Sequence, residues 1–218
     1  MVRRRTAAVS IAAAALLLAS PALTACGSGP DRTGAAAVVG DQRITVASLQ
    51  SKVNQVRAAQ KASPQGAQLL ASGGKLSTQT LTMLVQTAVI ERAARDAGVT
   101  VTEGEAQQDH AAALQQFGGN QKALDAALLQ QFGIAPAEAD TYFRTNALLG
   151  KLISSLGYQP GSDGGQTALV GILTRTADKL GVTINPRYGT WDSKKASIGD
   201  TSDAWVITKT PASAAPAA

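Results

Sequence analysis

Few side chains in this 218-residue chain have the type and spacing to do covalent chemistry. The closest approach is Ser72-Gly73-Gly74-Lys75, the Ser-x-x-Lys spacing that sets a nucleophile beside a base in acylating enzymes. Ser202-Asp203 and Lys209-Thr210 follow in the order such enzymes use, but Ala204 stands where Asn is needed and Pro211 where Gly is needed. The Ser and Lys also fall in a Gly-rich stretch, not on a helix that would hold hydroxyl and amine in contact, so the stretch reads as a loop. His110, the only histidine, lies beside Asp109 in a polar run. A catalytic histidine needs a nucleophile and an orienting acid; neither can be placed, so His110 reads as a surface side chain. No Gly-x-Ser-x-Gly elbow occurs. Glu103 and Glu105, and then Glu138 and Asp140, sit where helices should begin, and negative charge is favourable there. A divalent cation would need more converging oxygens than the Glu103, Glu105 and Asp109 cluster offers. One Cys and one His exclude an internal disulfide, a Cys/His zinc site and multi-cysteine haem or iron–sulfur ligation. The expectation is a protein without catalytic residues, metal or cofactor.

The one cysteine has another use. Arg3, Arg4 and Arg5 precede an apolar run from Ala7 to Ala19, which is too short to span a bilayer of about 30 Å. Leu23-Thr24-Ala25-Cys26 then resembles the bacterial lipobox, whose Cys is lipidated and becomes the first mature residue. Residues 1–25 therefore read as a lipoprotein signal peptide and Cys26 as the lipidation site. The diacylglyceryl group there brings two acyl chains, enough for stable anchoring. Residues 26–34 read as a short tether, and Pro211 to Ala218, built of Ala, Pro and Ser, as a disordered tail. The expected location is the extracytoplasmic face of the cell membrane. The net charge of +5 includes the three signal arginines. Without them 17 basic residues face 15 acidic ones, a balance that speaks against nucleic acid as a partner. A 44% hydrophobic content with only 16% charged residues excludes wholesale disorder and supplies a sizeable core.

The elements that would build that core are mainly helices. Ala37-Val38-Val39, Gly40-Asp41 and Arg43-Ile44-Thr45 read as a hairpin. Thr45 then caps a helix to about Lys61, with Leu49, Val53 and Val56 at helical spacing. Ser63 to Gly74 reads as a breaker-rich loop. Leu76 to Ala97 is the clearest helix, its stripe formed by Leu81, Leu84, Val85, Ala88 and Val89, with Gly98 at the C-cap position. Thr102 and Glu105 form a capping box for a helix to about Phe117. Asn120 caps a helix to Phe132, closed by Gly133, and Pro136 opens another that carries Tyr142, Phe143, Ala147 and Ile153 and ends at Gly157. Tyr158 to Gly165 reads as a linker, Gln166 to Leu180 as a helix, and Val182-Thr183-Ile184 and Ala204-Trp205-Val206-Ile207 as short strands. Tyr188, Trp191 and Trp205 are either hot spots for a partner or a seal between the small sheet and a helix. The seal is the preferred reading, and Arg187 beside Tyr188 is placed either to pair or to stack locally.

Three stretches together resemble one family. They are Ala36-Ala37-Val38-Val39-Gly40-Asp41-Gln42-Arg43-Ile44-Thr45, the helix end Ile90-Glu91-Arg92-Ala93-Ala94-Arg95-Asp96-Ala97-Gly98-Val99-Thr100-Val101-Thr102, and Phe132-Gly133-Ile134. In order and spacing the chain is similar to the N-terminal chaperone domain of SurA- and PrsA-type foldases over roughly Ala35 to Leu156. The resemblance implies a mostly α fold with a small β-sheet, a trigger-factor-like helical chaperone domain closed by a C-terminal helix and short strand across residues 35–210. Asn185-Pro186-Arg187-Tyr188-Gly189 is similar to the segment that closes many lipoproteins of this type. Members usually carry a parvulin prolyl isomerase domain before that closing part. Here only residues 158–165 intervene, too few for such a domain, so no catalytic residue carries over. A strand at Val182 to Asn185 is expected to pair with the hairpin, which is marginal alone, and the Leu81–Val89 stripe to pack on the Tyr142–Ile153 helix.

Two functions remain open on these residues. One is a lipid-anchored chaperone that reversibly buries unfolded or exported polypeptide segments between its helices. The other is a scaffold or accessory subunit for one specific envelope protein, favoured by the 4% aromatic content, since promiscuous holding uses adaptable apolar surface.

Overall fold

A computed structural model describes residues 33–199. The signal peptide, Cys26, most of the tether, the Ala204–Ile207 strand and the 211–218 tail of the sequence reading lie outside them. The described chain opens with strands β1 (Ala35–Val39) and β2 (Gln42–Thr45), followed by helices α1 (Val46–Ala62) and α2 (Gly66–Ala71). A 3-10 turn at Gly73–Lys75 leads into α3 (Leu76–Asp96), then α4 (Glu103–Gln116) and α5 (Gln121–Phe132). A second 3-10 turn, Pro136–Glu138, leads into α6 (Ala139–Ser155), followed by α7 (Asp163–Leu180). Strand β3 (Thr183–Ile184), a turn at Pro186–Tyr188, and strands β4 (Thr190–Asp192) and β5 (Ser197–Gly199) complete it. The fold is mostly α, as expected, but it has two small antiparallel sheets where the sequence reading has one: the β4–β5 hairpin, three residues per strand, has too short a pattern to be read locally.

Local chemistry sets most helix ends. Orphan N–H groups at a helix start need acceptors. Thr45 Oγ1 accepts from the Ser48 N–H at 3.0 Å, Asn120 Oδ1 from Ala123 at 3.2 Å, and Ser162 Oγ from Gly165 at 3.1 Å. Two boundaries differ from the sequence reading. The Ser63 to Gly74 loop contains α2 and a 3-10 turn; with six residues and no capping side chain, α2 has no periodic signature, and packing of Leu69 on the main core supports it. Helix α7 begins at Asp163, three residues before Gln166. Two glycines fill its first turn, and Gly165 is buried because Ile153 lies against it. Residues 156–162 alone separate α6 from α7.

Strand β1 is the middle of a three-stranded sheet, β2-β1-β3, antiparallel on both sides. Its central place explains why Ala36, Ala37 and Val39 are buried with no alternation. The pairing of Thr183 with Val38 and of Ile184 with Ala37 ties the two ends of the described chain together. Asn185 reinforces it: its N–H donates to Ala36 O at 2.9 Å and its Nδ2 to Ala35 O at 3.1 Å, where β1 shifts register.

Helix α3 is the axis of the molecule. Its stripe Leu81, Val85, Ala88 and Val89 joins Leu49, Val53 and Val56 of α1, the sheet residues Ala37, Val39, Ile44 and Ile184, and Tyr188 in the main core. This corrects the expectation that the stripe packs on the Tyr142–Ile153 helix. Helix α6 meets other faces of α3: Ala147 and Leu148 join Ile90 and Ala94, while Leu152 and Ile153 join Ala93 and Leu169 of α7. A two-stranded hairpin leaves apolar surface that the most regular stripe must cover, so α6 takes the less regular faces.

The capping box of α4 also fastens α4 to α6. Glu105 Oε2 accepts from the Thr102 N–H at 2.8 Å and from its hydroxyl at 3.0 Å, and Glu105 Oε1 pairs with Lys151 Nζ at 2.6 Å. The hydrogen bond from Lys151, then those from Thr102, lower the Glu105 pKa from its ordinary 4.5 to about 2. Because the folded value lies below the unfolded one, the stabilisation is complete above pH 4.5 and is lost as pH falls toward 2. In urea melts across that window, the stability difference between the native chain and Glu105→Gln should shrink steadily with falling pH. Added salt should reduce it, since the pair is exposed.

Candidate functional site

Among the described residues, a groove of about 670 Å³ lies between α3 and α6. Successive turns of α3 supply Gln79, Met83, Gln86, Thr87 and Ile90, positions that share one face at a period of 3.6. From the facing side α6 supplies Thr141, Tyr142, Thr145, Asn146 and Leu149 by the same spacing. Phe132, the last residue of α5, and Ile134 just beyond it close one flank, and Ser197, Ile198 and Gly199 of β5 another. The β4–β5 hairpin is tied to α3 by Gln86 Nε2, which donates to Ala196 O at 2.6 Å, and to α7 by Thr174 Oγ1, which donates to Ser193 O at 3.1 Å. Ala196 turns this hairpin with φ +46°, so the Gln86 contact fixes a residue in a backbone region that non-glycine residues seldom adopt.

An aromatic ladder lines the Phe132 flank. Phe132, 54% exposed, stacks on Tyr142 at 5.5 Å between centroids. Tyr142 meets Phe143 edge-on at 5.3 Å, and Phe143 stacks on His110 at 4.7 Å. His110 is therefore not the surface side chain expected. Its ring is only 24% exposed, Nδ1 lies 3.3 Å from Asp140 Oδ1, and Nε2 is buried without a protein partner. On α4 it shares a face with Ala106, Ala113 and Leu114, which pack on buried clusters, but its aromatic partner comes from α6 and is invisible in the local sequence.

The remaining candidates take structural places. Ser72 ends α2 and its hydroxyl donates to Leu69 O at 3.1 Å, across the junction from Lys75, which belongs to the next 3-10 turn. The hydroxyl is thus engaged in closing a helix; Ser202, Asp203, Lys209 and Thr210 lie outside the described residues. Glu138 pairs with Lys52 of α1 and Asp140 with His110, so both acids make tertiary links besides marking a helix start. Tyr188 is buried in the main core with Trp191 packed beside it, and the Arg187 guanidinium lies 5.1 Å from the Tyr188 ring centre. These two aromatics seal the sheet, as read from the sequence; Trp205 lies outside the described residues. Among the described residues no cluster of His, Cys, Asp and Glu is placed to hold a metal ion, and no helix is long and apolar enough to cross a membrane.

The groove suits non-covalent binding. Met83, Ile90, Leu149 and Ile198 offer apolar surface, while Gln79, Thr87, Thr145 and Asn146 place hydrogen-bonding groups along it. An extended peptide needs both, since its buried N–H and C=O groups must find partners. The sequence reading did not identify these residues. The signal available was modest: threonines, glutamines and a methionine on the flank of α3 opposite its apolar stripe, and two aromatics, Phe132 and Tyr142, whose meeting depends on the α5–α6 turn.

The model for the SurA-like N-terminal domain matches residues 1–153. No curated protein and no solved structure shows significant similarity to the chain. The match spans more than half of the chain and includes the hairpin, α1 to α5 and nearly all of α6. The chain belongs to the SurA-like N-terminal domain family, a non-catalytic, chaperone-type domain.

Proposed function

We propose that this protein is an extracytoplasmic lipoprotein, anchored through Cys26, that holds segments of unfolded or exported polypeptides in the α3–α6 groove. The groove is the observation that carries this reading: an open apolar channel with polar side chains along it and an exposed aromatic, Phe132, on its lip. A chain segment would enter extended, bury apolar side chains against Met83, Ile90 and Leu149, and leave without any bond being made or broken. Prolyl isomerisation forms no part of the proposal, since only residues 156–162 separate α6 from α7. The lipobox at Leu23 to Cys26 supports the anchoring.

The test is titration of the unlipidated chain from residue 26 onward against an array of unfolded-protein peptides and a prolyl isomerase substrate. Broad micromolar binding without isomerisation is expected. Thr145→Arg puts a long charged side chain into the groove at a position where Arg is the better helix former, and Phe132→Ser removes the aromatic lip. Each should weaken peptide binding about tenfold, or 1.4 kcal/mol, while leaving the melting temperature within a few degrees. Binding unaffected by both variants would overturn the groove as the site. Binding of no peptide, with one stoichiometric envelope protein recovered by crosslinking, would favour the accessory-subunit reading.

A further inference from the structure

Strand β5 is both a wall of the groove and the last described element: Ser197, Ile198 and Gly199 line the channel, and the chain continues from Gly199 at its edge. The residues that follow are Asp200-Thr201-Ser202-Asp203-Ala204-Trp205-Val206-Ile207-Thr208-Lys209. We propose that Ala204 to Ile207 docks in the α3–α6 groove of its own chain as an internal occupant that clients must displace. The effect on clients rests on the holding function proposed above; the docking itself does not.

Reach permits it. From Gly199 the groove extends along α3 between Gln79 and Ile90, eleven residues or about 17 Å at 1.5 Å per residue. Trp205 is six residues beyond Gly199 and Ile207 eight, spans of up to about 20 and 26 Å when extended. Chemistry favours it as well. Ala204-Trp205-Val206-Ile207 is the only run of large apolar side chains in 200–218. In extended conformation Trp205 and Ile207 point to one side and would meet the Met83, Ile90 and Leu149 surface, while Gln79, Thr87 and Asn146 take up the backbone polar groups. Trp is the residue type that anchors such contacts best. A short connection also raises the effective concentration of the segment to the millimolar range, so even weak intrinsic affinity fills the groove for much of the time and reduces apparent client affinity in proportion.

Emission from Trp205 tests the docking directly. In the chain from residue 26 onward with Trp191→Phe, Trp205 is the sole tryptophan. Blue-shifted emission protected from acrylamide, lost on adding Thr145→Arg and independent of protein concentration, is the expected result. Solvent-exposed emission would overturn the docking, as would protection that Thr145→Arg does not change. Protection that grows with concentration would place the segment on a second copy and overturn the internal form. Separately, with Trp191 retained, converting Trp205, Val206 and Ile207 to serine should tighten client-peptide binding by roughly two- to tenfold. Unchanged client affinity in that variant would overturn the competition. If neither the native chain nor the serine variant binds any peptide, the holding function fails, and the fluorescence result still decides the docking.

Discussion

Leu81→Ala should lower stability by about 2–5 kcal/mol, the range for deleting a leucine side chain from a packed core. Leu81 is fully buried on the central helix, in the cluster that joins α1, α3 and the three-stranded sheet. Its loss removes apolar burial and leaves a cavity that none of these elements can close alone, because each is held by the others. Total stabilities of about 5–15 kcal/mol are usual, so this change alone takes a large share. A domain of this size should lose roughly 4–20 °C in melting temperature. Val170→Ala, at a site 53% exposed, is the control and should stay within about 0.5 kcal/mol. Thermal melts followed by circular dichroism check both; a Leu81→Ala chain that melts with the native protein would refute this account of the core.

Gly189→Ala should detach the β4–β5 hairpin. Gly189 has φ +124° and ψ −160°, a backbone region that essentially only glycine occupies, at a cost of about 1–3 kcal/mol for other residues. Space is closed as well: a Cβ there would overlap the Gly199 carbonyl oxygen and sit 2.6 Å from Ile198 Cγ2. Both neighbours belong to β5, so relief requires β5 to move away, and the groove loses its Ser197–Gly199 wall. The expected result is a fall of roughly 2–12 °C in melting temperature, exposure of Trp191 seen as red-shifted emission in a Trp205→Phe background, where it is the sole tryptophan, and weaker binding of groove peptides. Gly199→Ala is the matching control, since a Cβ at that site meets only Thr190 O at 3.8 Å, an ordinary contact. Equal behaviour of the two variants would show that the hairpin is not held by this close approach.

The helices were legible wherever a short-range rule governs them. Thr45, Thr102 and Asn120 cap helices because an oxygen two or three residues upstream can reach an orphan N–H whatever the rest of the chain does. Gly133 closes α5 in the left-handed conformation for an equally local reason. Ser162 obeys the same rule, but Gly164 and Gly165 after it disguised the start of α7, and α2 had neither cap nor periodicity.

The sequence by itself therefore determined the mostly α class, the first hairpin, the helix N-caps with the one capping box, and the return strand at Thr183–Ile184, together with the small inventory of reactive groups. These depend on residue type and spacing within a few positions. Tertiary structure alone decided which face of α3 meets α1 and the sheet, that His110 stacks on Phe143, and that α3, α6 and β5 leave a groove between them. A groove is surface that neighbouring elements fail to cover. Its existence depends on the angle and separation of helices far apart in the chain, and on a hairpin whose position rests on one glycine and on hydrogen bonds from Gln86 and Thr174.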